Sequence, residues 1–449
     1  MSIEESVLKR IVPTQKEEER VREVVSILKK MLESEIENVG VDAYPMLVGS
    51  VAKGTHLKDP EIDMFICFSP TTSREDLERF GLMLGESVLT DVEQHFAEHP
   101  YLAGKFEGFT TEVVPCYEVK DPRKKMSAVD RTPFHTHYVK KNLKEEQKNE
   151  VRLLKRFAKG TGVYGAEAKI RGFSGYLCEL LVLKYGSFHE VLKGASEWHK
   201  GMVLELDKKS KKKFSEPLVF VDPVDAGRNV ASALSLDQFG RFIHLSKGYL
   251  ENPKISFFFP SKRKRPTRPA TQKKMAARGT DIVALVLRKP DVVEDILFPQ
   301  IWKAEKSIKS VLEKNEFTVL GCGSQVVDDE IVFLFELMSA ELPRVRKHTG
   351  PAAWMRNADD FIEKWKHSSK RIAGPYIEDG RVFFDLKRDY LDAKSLLRRQ
   401  MKVAGLGKNL DEVASKKLKV LVNDEIVSEG YIVTLADFLE KSIASTMSR

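Results

Sequence analysis

The sequence predicts a multidomain protein of the α+β class. Its 449 residues suggest about three domains, because a domain commonly holds roughly 150 residues. Apolar residues recur at helical spacing in some segments, such as residues 21–32, and form short continuous runs in others, such as residues 64–68. We therefore expect helices together with a mixed sheet.

Helix-capping residues mark the first elements. Thr14 and Glu17 form a capping-box pattern in front of a long helix, and Gly40 is placed to end it. The segment up to about residue 140 should then contain strands at residues 44–48, 61–68 and 109–117, with a helix from residue 74 to about residue 98.

The middle of the chain is predicted to be mainly helical. A helix that begins near Asn149 should end at Gly160, and a second one should run through residues 175–185. A strand at residues 218–221 and a helix around residues 234–250 follow. Beyond them, the pattern predicts helices such as residues 298–314 and strands at residues 255–259, 281–287, 316–320, 330–337 and 381–386.

Basic residues are in excess and partly clustered. Lys and Arg number 74 against 66 Asp and Glu, a net charge of +8 that suits a polyanionic partner. Residues 208–213 (KKSKKK) are best interpreted as a solvated loop. Residues 262–265 (KRKR) lie at a predicted domain junction, where they could follow a phosphate backbone.

Several features indicate a soluble cytoplasmic protein. The four cysteines lie far apart, without metal-type spacing, as expected for core thiols in a reducing compartment. No window of about 18 apolar residues occurs. The first residues are polar and acidic, unlike a signal peptide.

Two acids, Glu61 and Asp63, open the apolar strand that continues through residues 64–68. Successive side chains of a strand point to opposite faces, so these two share one face. Carboxylates suit Mg²⁺, which is often shared with substrate phosphates, and two such ions can stabilise the attacking and leaving oxygens of phosphoryl chemistry. The pair therefore predicts a metal-assisted phosphoryl-transfer site.

Gly49, Ser50 and Lys53 stand just before this strand. A glycine lets phosphate approach the backbone, a serine hydroxyl can donate a hydrogen bond, and a lysine supplies positive charge. With the acids they describe a nucleotidyl-transfer site. The alternative is a plain turn followed by acids that cap an exposed strand end. Two acids on one face at this spacing make that alternative the weaker one.

A third acid, Glu112, lies in the apolar run of residues 109–117 and should share a face with Thr110. An acid pair on one strand and a lone acid on another resemble the nucleotidyltransferases of the polymerase β superfamily. The resemblance implies a polymerase β-like head with a mixed sheet and helices.

Longer blocks resemble the archaeal, class I CCA-adding enzymes, which rebuild the terminal CCA of tRNA without a template. The match is dense from about Gly49 to Leu245 and thinner beyond it. The blocks are residues 97–101 (AEHPY), 127–135 (SAVDRTPFH), 149–155 (NEVRLLK), 163–167 (VYGAE), 171–179 (RGFSGYLCE), and 222–225 (DPVD) with 228–231 (RNVA).

This resemblance implies a domain order and a set of partners. It implies a catalytic head over residues 1–140 and a helical neck over residues 141–258 that closes on the nucleotide base. A body would comprise residues 259–310 and 371–449, and a tRNA-binding tail would comprise residues 311–370. It further implies CTP and ATP as substrates, contacts with the acceptor stem and T-loop end of tRNA, and a homodimer.

The resemblance also implies roles for individual residues. Glu61 and Asp63 would hold two Mg²⁺ ions, and Glu112 would hold the ion that activates the tRNA 3′-hydroxyl. The RNA 3′ end would lie near His99, Pro100 and Tyr101. The nucleotide would be bound by Gly49, Ser50, Lys53, His135, Lys155, Tyr164 and Arg228, the last of which would read the base.

From the residues alone, plainer alternatives stay open. His135 could be a core histidine, Tyr164 could pack the neck, and Arg228 could be a cation at a helix start. Lys155 could be a solvated helix residue, and residues 99–101 could be only a helix-ending turn.

Two positions depart from the family pattern. The family usually has Asp where this chain has Glu112, and Arg where it has Lys53, which lacks the bidentate guanidinium. Both changes keep the charge. The interpretation as an enzyme therefore stands. Two other functions stay open: a different nucleotidyltransferase that shares the Gly-Ser pair and the acids, such as a poly(A) polymerase or an oligoadenylate synthase, and a non-catalytic RNA-binding relative, which only Glu112 in place of Asp suggests.

Overall fold

The computed structural model describes residues 1–96, 98–261, 264–401 and 404–440. The chain divides into two compact units, one ending at residue 263 and one beginning at Lys264. Both units contain helices and strands, so the predicted α+β class is confirmed. The predicted division into head, neck, body and tail stays a prediction.

The first unit begins with a five-stranded sheet and its covering helices. The strand order is β1-β2-β5-β4-β3, with β2 and β5 parallel and the other neighbours antiparallel, so the sheet is mixed as predicted. The elements are α1 (Ile3–Ile11), α2 (Gln15–Val39), β1 (Ala43–Leu47), α3 (Gly49–Lys53), β2 (Ile62–Phe68), α4 (Arg74–Val88), β3 (Thr90–Phe96), β4 (Pro100–Phe106) and β5 (Phe109–Tyr117).

Local sequence signals account for the ends of α2. Thr14 accepts a hydrogen bond from the backbone N–H of Glu17, and the Glu17 side chain accepts one from the N–H of Thr14, as the capping-box prediction requires. Gly40 ends the helix in the left-handed conformation, with φ of +72°. The apolar side of α2 packs on the sheet through Val24, Leu28 and other buried residues.

The prediction of one helix over residues 74–98 is wrong at its end. The helix α4 stops at Val88, and the chain continues as the edge strand β3, which pairs with β4. The residues of β3 are mostly exposed and polar. Its sequence therefore lacks the apolar alternation of a half-buried strand, and the pairing with β4 decides its conformation.

The rest of the first unit is largely helical, as predicted. Gly160 ends the predicted helix, and the second predicted helix has its predicted ends. The elements are α5 (Thr132–Asn142), α6 (Glu145–Gly160), α7 (Gly175–Tyr185), α8 (Phe188–Ser196), β6 (Met202–Leu204), β7 (Leu218–Phe220) and α9 (Leu236–Glu251).

The predicted strand at residues 255–259 is wrong. The chain forms a 3-10 turn over Ile255–Phe257 instead. Phe258 is fully buried and Phe257 stacks on Phe157 of α6, with 5.9 Å between ring centroids. The backbone of Phe257 runs so close to Gly160 that a Cβ at position 160 would lie 2.1 Å from the Phe257 carbonyl oxygen. Aromatic packing on a helix therefore replaces strand pairing.

The second unit contains two antiparallel sheets, with orders β14-β8-β10-β9 and β11-β13-β12. Its elements are α10 (Arg268–Arg278), β8 (Asp281–Arg288), α11 (Glu294–Lys314), β9 (Val319–Val327), β10 (Glu330–Leu337), β11 (Val345–Ala352), α12 (Ala358–Lys366), β12 (Arg371–Glu378), β13 (Arg381–Lys387), α13 (Ala393–Gln400), α14 (Lys408–Lys416), β14 (Leu418–Val422), α15 (Asp424–Ser428) and α16 (Ile432–Glu440).

Several predictions for this unit need correction. The helix predicted over residues 298–314 begins at Glu294, and the strand predicted at residues 316–320 is β9, which starts at Val319. Three strands, β11, β12 and β14, were not predicted. The residues of β14 are buried only near its centre, so its pairing with β8 is what identifies it as a strand. Lys262 and Arg263 of the second basic run lie outside the described residues.

Among the described residues, no helix combines the length and apolarity that a membrane crossing requires.

Candidate active site

A tight turn brings the backbone of Gly49 against the carboxylate of Asp63. Strand β1 ends at Leu47, the Val48 N–H donates to the Asp63 carbonyl oxygen at 3.0 Å, and the short helix α3 begins at Gly49. Gly49 has φ of +67°, and a Cβ there would lie 1.6 Å from Asp63 Oδ2. Only glycine permits both features, so the turn and the acid form one unit.

The three predicted acids meet at one edge of β2 and β5. Asp63 and Glu112 are directly opposite each other in the parallel register of these strands, and Glu61 is the exposed residue just before β2. Burial and the nearby Glu61 raise the pKa of Asp63 to about 6. Burial, Asp63 and Glu61 raise the pKa of Glu112 to about 7. The structure therefore concentrates negative charge that a cation would stabilise.

This donor set suits a divalent ion that is bound together with substrate. Within the described ranges, no three Asp, Glu, His or Cys side chains form a preformed metal shell. Mg²⁺ commonly uses one or two carboxylates plus substrate phosphates rather than an all-protein cage. Mutually repelling carboxylates beside an open cavity fit that mode of binding.

Near the acids, two lysines share one buried carboxylate. Lys53 Nζ lies 2.6 Å from Glu179 Oε2, and Lys155 Nζ lies 3.1 Å from Glu179 Oε1. The Thr55 hydroxyl donates to Glu179 Oε1 at 2.6 Å and accepts from Lys155 Nζ at 3.1 Å. Burial alone would raise the pKa of Glu179, but the two lysines and Thr55 lower it to about 2.

Glu179 is not among the site residues predicted from the sequence. It lies in α7, in the sequence GYLCELLVLKY, and it is fully buried. A lone acid within an otherwise apolar helix was the available signal, because a buried carboxylate needs a partner. Lys155 is likewise buried, so the alternative of a solvated helix residue is wrong.

One cavity of about 300 Å³ joins most of these groups. Tyr164 reaches it because α7 begins with Gly175, where a Cβ would lie 3.0 Å from the tyrosine oxygen. The predicted site residues that line the cavity are Gly49, Ser50, Lys53, Glu61, Asp63, Lys155 and Tyr164, and residues not predicted include His56, Lys159, Tyr176 and Glu179.

His135 and Arg228 meet at a second buried carboxylate, Asp222. His135 Nε2 lies 3.0 Å and Arg228 Nη1 2.9 Å from Asp222 Oδ2, and the Tyr176 hydroxyl donates to Oδ1 at 3.3 Å. The Tyr176 ring stacks on His135, with centroids 4.1 Å apart. Because Tyr176 also lines the cavity with the lysines, it links the two groups.

Arg228 lines an adjacent basic cavity of about 470 Å³. Arg131 contributes to this cavity, as do Lys212 and Lys213 from the basic run that was interpreted as a solvated loop. Part of that run therefore lies beside a predicted base-reading residue.

The three residues predicted to meet the RNA 3′ end lie at the start of β4 rather than in a helix-ending turn. His99 is buried, with Nδ1 3.5 Å from Glu78 Oε1. The Tyr101 ring stacks on His95, with 5.5 Å between centroids. None of these residues lines the cavity that holds the lysines, and Ala97 of the same block lies outside the described residues.

The raised pKa of Glu112 predicts a pH-dependent stability. Between its ordinary value of 4.5 and about 7, the folded chain holds a proton that the unfolded chain has released. The free energy of unfolding should therefore fall as pH rises through this window. In EDTA, the melting temperature of the wild type should fall from about pH 5 to about pH 7.5 more than that of Glu112→Gln, and Mg²⁺ should reduce the difference. Equal falls in both proteins would contradict this prediction.

Three family models match the chain. The model described as "Nucleotidyltransferase domain" matches residues 21–135, "tRNA nucleotidyltransferase, second domain" matches residues 149–259, and "CCA-adding enzyme, C-terminal domain" matches residues 278–423. Among solved structures, the Cid1 poly(U) polymerase has a TM-score of 0.44 and 16% identity, covering 57% of this chain and 98% of that one.

Relatives described as CCA-adding enzymes match along nearly their whole length. The one from Methanosarcina barkeri is 39% identical over 93% of each chain. The one from Archaeoglobus fulgidus is 37% identical over 97% of this chain and 98% of its own, and the one from Haloarcula marismortui is 36% identical over 96% of each. The chain therefore belongs to the CCA-adding enzyme family of tRNA nucleotidyltransferases.

Proposed function

We propose that this chain adds and repairs the 3′-terminal CCA of tRNA, using CTP and ATP without a nucleic-acid template. The observation that carries the proposal is that one cavity is lined by the Gly49 turn, the acids at the start of β2, and two lysines that share a buried carboxylate. A bound triphosphate needs positively charged side chains and a metal cation. In this cavity the lysines supply the positive charge, and the carboxylates are ligands for the cation.

Glu61, Asp63 and Glu112 are proposed to hold two Mg²⁺ ions. Glu112, which lies opposite Asp63 in the register of β2 and β5, would hold the ion that activates the tRNA 3′-hydroxyl, as the family resemblance implies. Such ions stabilise charge on the attacking and leaving oxygens of phosphoryl transfer.

The phosphate-binding side consists of Gly49, Ser50, Lys53 and Lys155. Gly49 lines the cavity, and so do the two lysines, whose ammonium groups donate hydrogen bonds to the Glu179 carboxylate. Their positive charge would bind the β and γ phosphates and stabilise the pyrophosphate as it leaves.

His135, Tyr164 and Arg228 are proposed to contact the ribose and the base. Asp222 contacts both the His135 ring and the Arg228 guanidinium, which fixes their positions. Burial lowers the pKa of His135. Arg228 has five N–H donors, so it can hydrogen-bond to an acceptor of the base while one donor stays on Asp222. His99, Pro100 and Tyr101 are proposed to lie near the RNA 3′ end.

In the reaction, the tRNA 3′-hydroxyl loses its proton to solvent and its oxygen forms a bond to the α-phosphorus of the nucleotide. The bond from that phosphorus to the oxygen of the β-phosphate breaks, and pyrophosphate leaves with the electron pair of that bond. The residues of the chain bind and orient both substrates for this displacement.

The head, neck, body and tail are proposed with the boundaries given above, and the tail is proposed to bind tRNA. The regions of tRNA that the chain is proposed to contact are the acceptor stem and the T-loop end. The chain is proposed to act in the cytoplasm as a homodimer. Light scattering of the purified protein would measure the homodimer directly.

The test is a product analysis at single-nucleotide resolution. Purified protein with Mg²⁺ and a tRNA transcript ending at the discriminator base would receive CTP alone, ATP alone, or both. We expect two additions with CTP and a third only when ATP is also present. Long tails from ATP alone would instead indicate a poly(A) polymerase-like enzyme, and no extension at all would favour a non-catalytic RNA-binding protein.

A further inference from the structure

We infer that Glu179 is a positioning residue that sets the places of Lys53 and Lys155 for the nucleotide triphosphate. The inference deepens the proposed function and rests on it, because the lysines are proposed there to bind phosphate. Glu179 is fully buried, and both of its carboxylate oxygens are occupied by hydrogen bonds from the lysines and Thr55, so it acts on the nucleotide through the lysines.

The contacts of Glu179 define the spacing of the two ammonium groups. One carboxylate oxygen, Oε2, accepts a hydrogen bond from Lys53 Nζ at 2.6 Å. The other, Oε1, accepts hydrogen bonds from Lys155 Nζ at 3.1 Å and from the Thr55 hydroxyl at 2.6 Å. The two lysines come from different helices, α3 and α6, and the carboxylate from a third, α7. A single planar group therefore sets the relative position of two cations that distant parts of the chain supply.

Charge and burial explain why this arrangement needs an acid. Both lysines are buried, and two adjacent cations without a counter-ion would repel each other and lose solvation. Glu179 is fully buried as well, so solvent does not screen the attraction. One negative charge against two positive charges leaves a net positive charge beside the cavity, available for phosphate.

The identity of Lys53 strengthens the requirement. A lysine ammonium is a point charge on a flexible stem, whereas an arginine has a planar fork that orients itself on phosphate. The Lys53 ammonium also lies 5.8 Å from the centroid of the Tyr176 ring, and its side chain is mostly buried. An external anchor such as Glu179 therefore supplies the orientation that the side chain itself lacks.

The test compares Glu179→Gln with Glu336→Gln, a matched control. Glu336 is also fully buried and paired, with Arg278 and with Thr280 at 2.8 Å, but it belongs to the second unit. Equilibrium binding of CTP and of CMP to each full-length protein would be measured by calorimetry, together with KM for CTP and kcat. CTP and CMP share the base, the ribose and the α-phosphate. The difference between their binding affinities therefore measures the contribution of the β and γ phosphates.

We expect Glu179→Gln to weaken CTP binding about tenfold or more and to raise KM for CTP, with CMP binding changed less than about twofold. Glu336→Gln should leave the ratio of CTP to CMP affinity unchanged. Unchanged or tighter CTP binding in Glu179→Gln would overturn the inference, as would an equal loss for CTP and CMP.

A second variant serves if Glu179→Gln does not fold. Glu179→Asp keeps the charge but withdraws the carboxylate by one methylene, so CTP binding should weaken several-fold, less than in Glu179→Gln, while CMP binding is kept. Full CTP affinity in Glu179→Asp would also overturn the inference. The wild type separates the two proposals: if it neither binds CTP nor extends tRNA, the proposed function fails, whereas normal wild-type activity with unaffected variants removes only the role of Glu179.

Discussion

Asp63→Asn is expected to reduce CCA addition by at least about a thousandfold while the protein stays folded. Metal-assisted charge stabilisation is worth several kcal/mol in the transition state, and each 1.36 kcal/mol corresponds to a factor of ten. Asparagine keeps the size of the side chain and an oxygen acceptor but removes the charge. Single-turnover extension of a tRNA transcript with CTP would measure the loss.

The stability of the same variant should change in the opposite direction. Burial and the nearby Glu61 raise the pKa of Asp63, so its ionised form destabilises the metal-free fold near neutral pH. In EDTA at about pH 7.5, Asp63→Asn should therefore melt no lower than the wild type. The control is Glu118→Gln. Glu118 is an exposed acid that follows β5, and the loss of its charge should leave activity nearly unchanged. Activity of Asp63→Asn within tenfold of the wild type would contradict the proposed role.

Gly49→Ala is expected to abolish most activity through geometry rather than charge. The added Cβ would lie 1.6 Å from Asp63 Oδ2, so the carboxylate must move away from its place beside Glu112. The left-handed backbone at φ of +67° adds about 1–2 kcal/mol of strain for alanine. We expect a loss of about a hundredfold or more in kcat/KM for CTP, because small misplacements of reacting groups have effects of that size.

Gly54→Ala provides the matched control for this prediction. Gly54 ends the same short helix with the same φ of +67°, but the nearest atom to its added Cβ is Lys148 Nζ at 3.2 Å, the end of a flexible side chain. Both variants therefore carry similar backbone strain, and only Gly49→Ala displaces an acid. Similar activities for the two variants would show that strain, and not the contact with Asp63, is responsible.

Much of the site was predictable because its signals are local in the sequence. The chemical signals each depend on a few neighbouring residues: the Gly49-Ser50 pair before β2, the alternation that places Glu61 and Asp63 on one face, and the isolated acid Glu112. The capping box at Thr14 and the helix end at Gly160 were predictable for the same reason. These patterns indicate which chemistry the chain can perform.

The placement of these groups relative to one another depends on tertiary structure. The parallel pairing of β2 with β5 puts Asp63 opposite Glu112, although 48 residues separate them in the chain. Neither that pairing nor the exposed edge strand β3 has a local signal, because strand order depends on contacts between distant segments. Glu179 acquires its two lysines, and Asp222 acquires His135, in the same way, since only packed helices and strands bring side chains from remote segments within hydrogen-bonding distance.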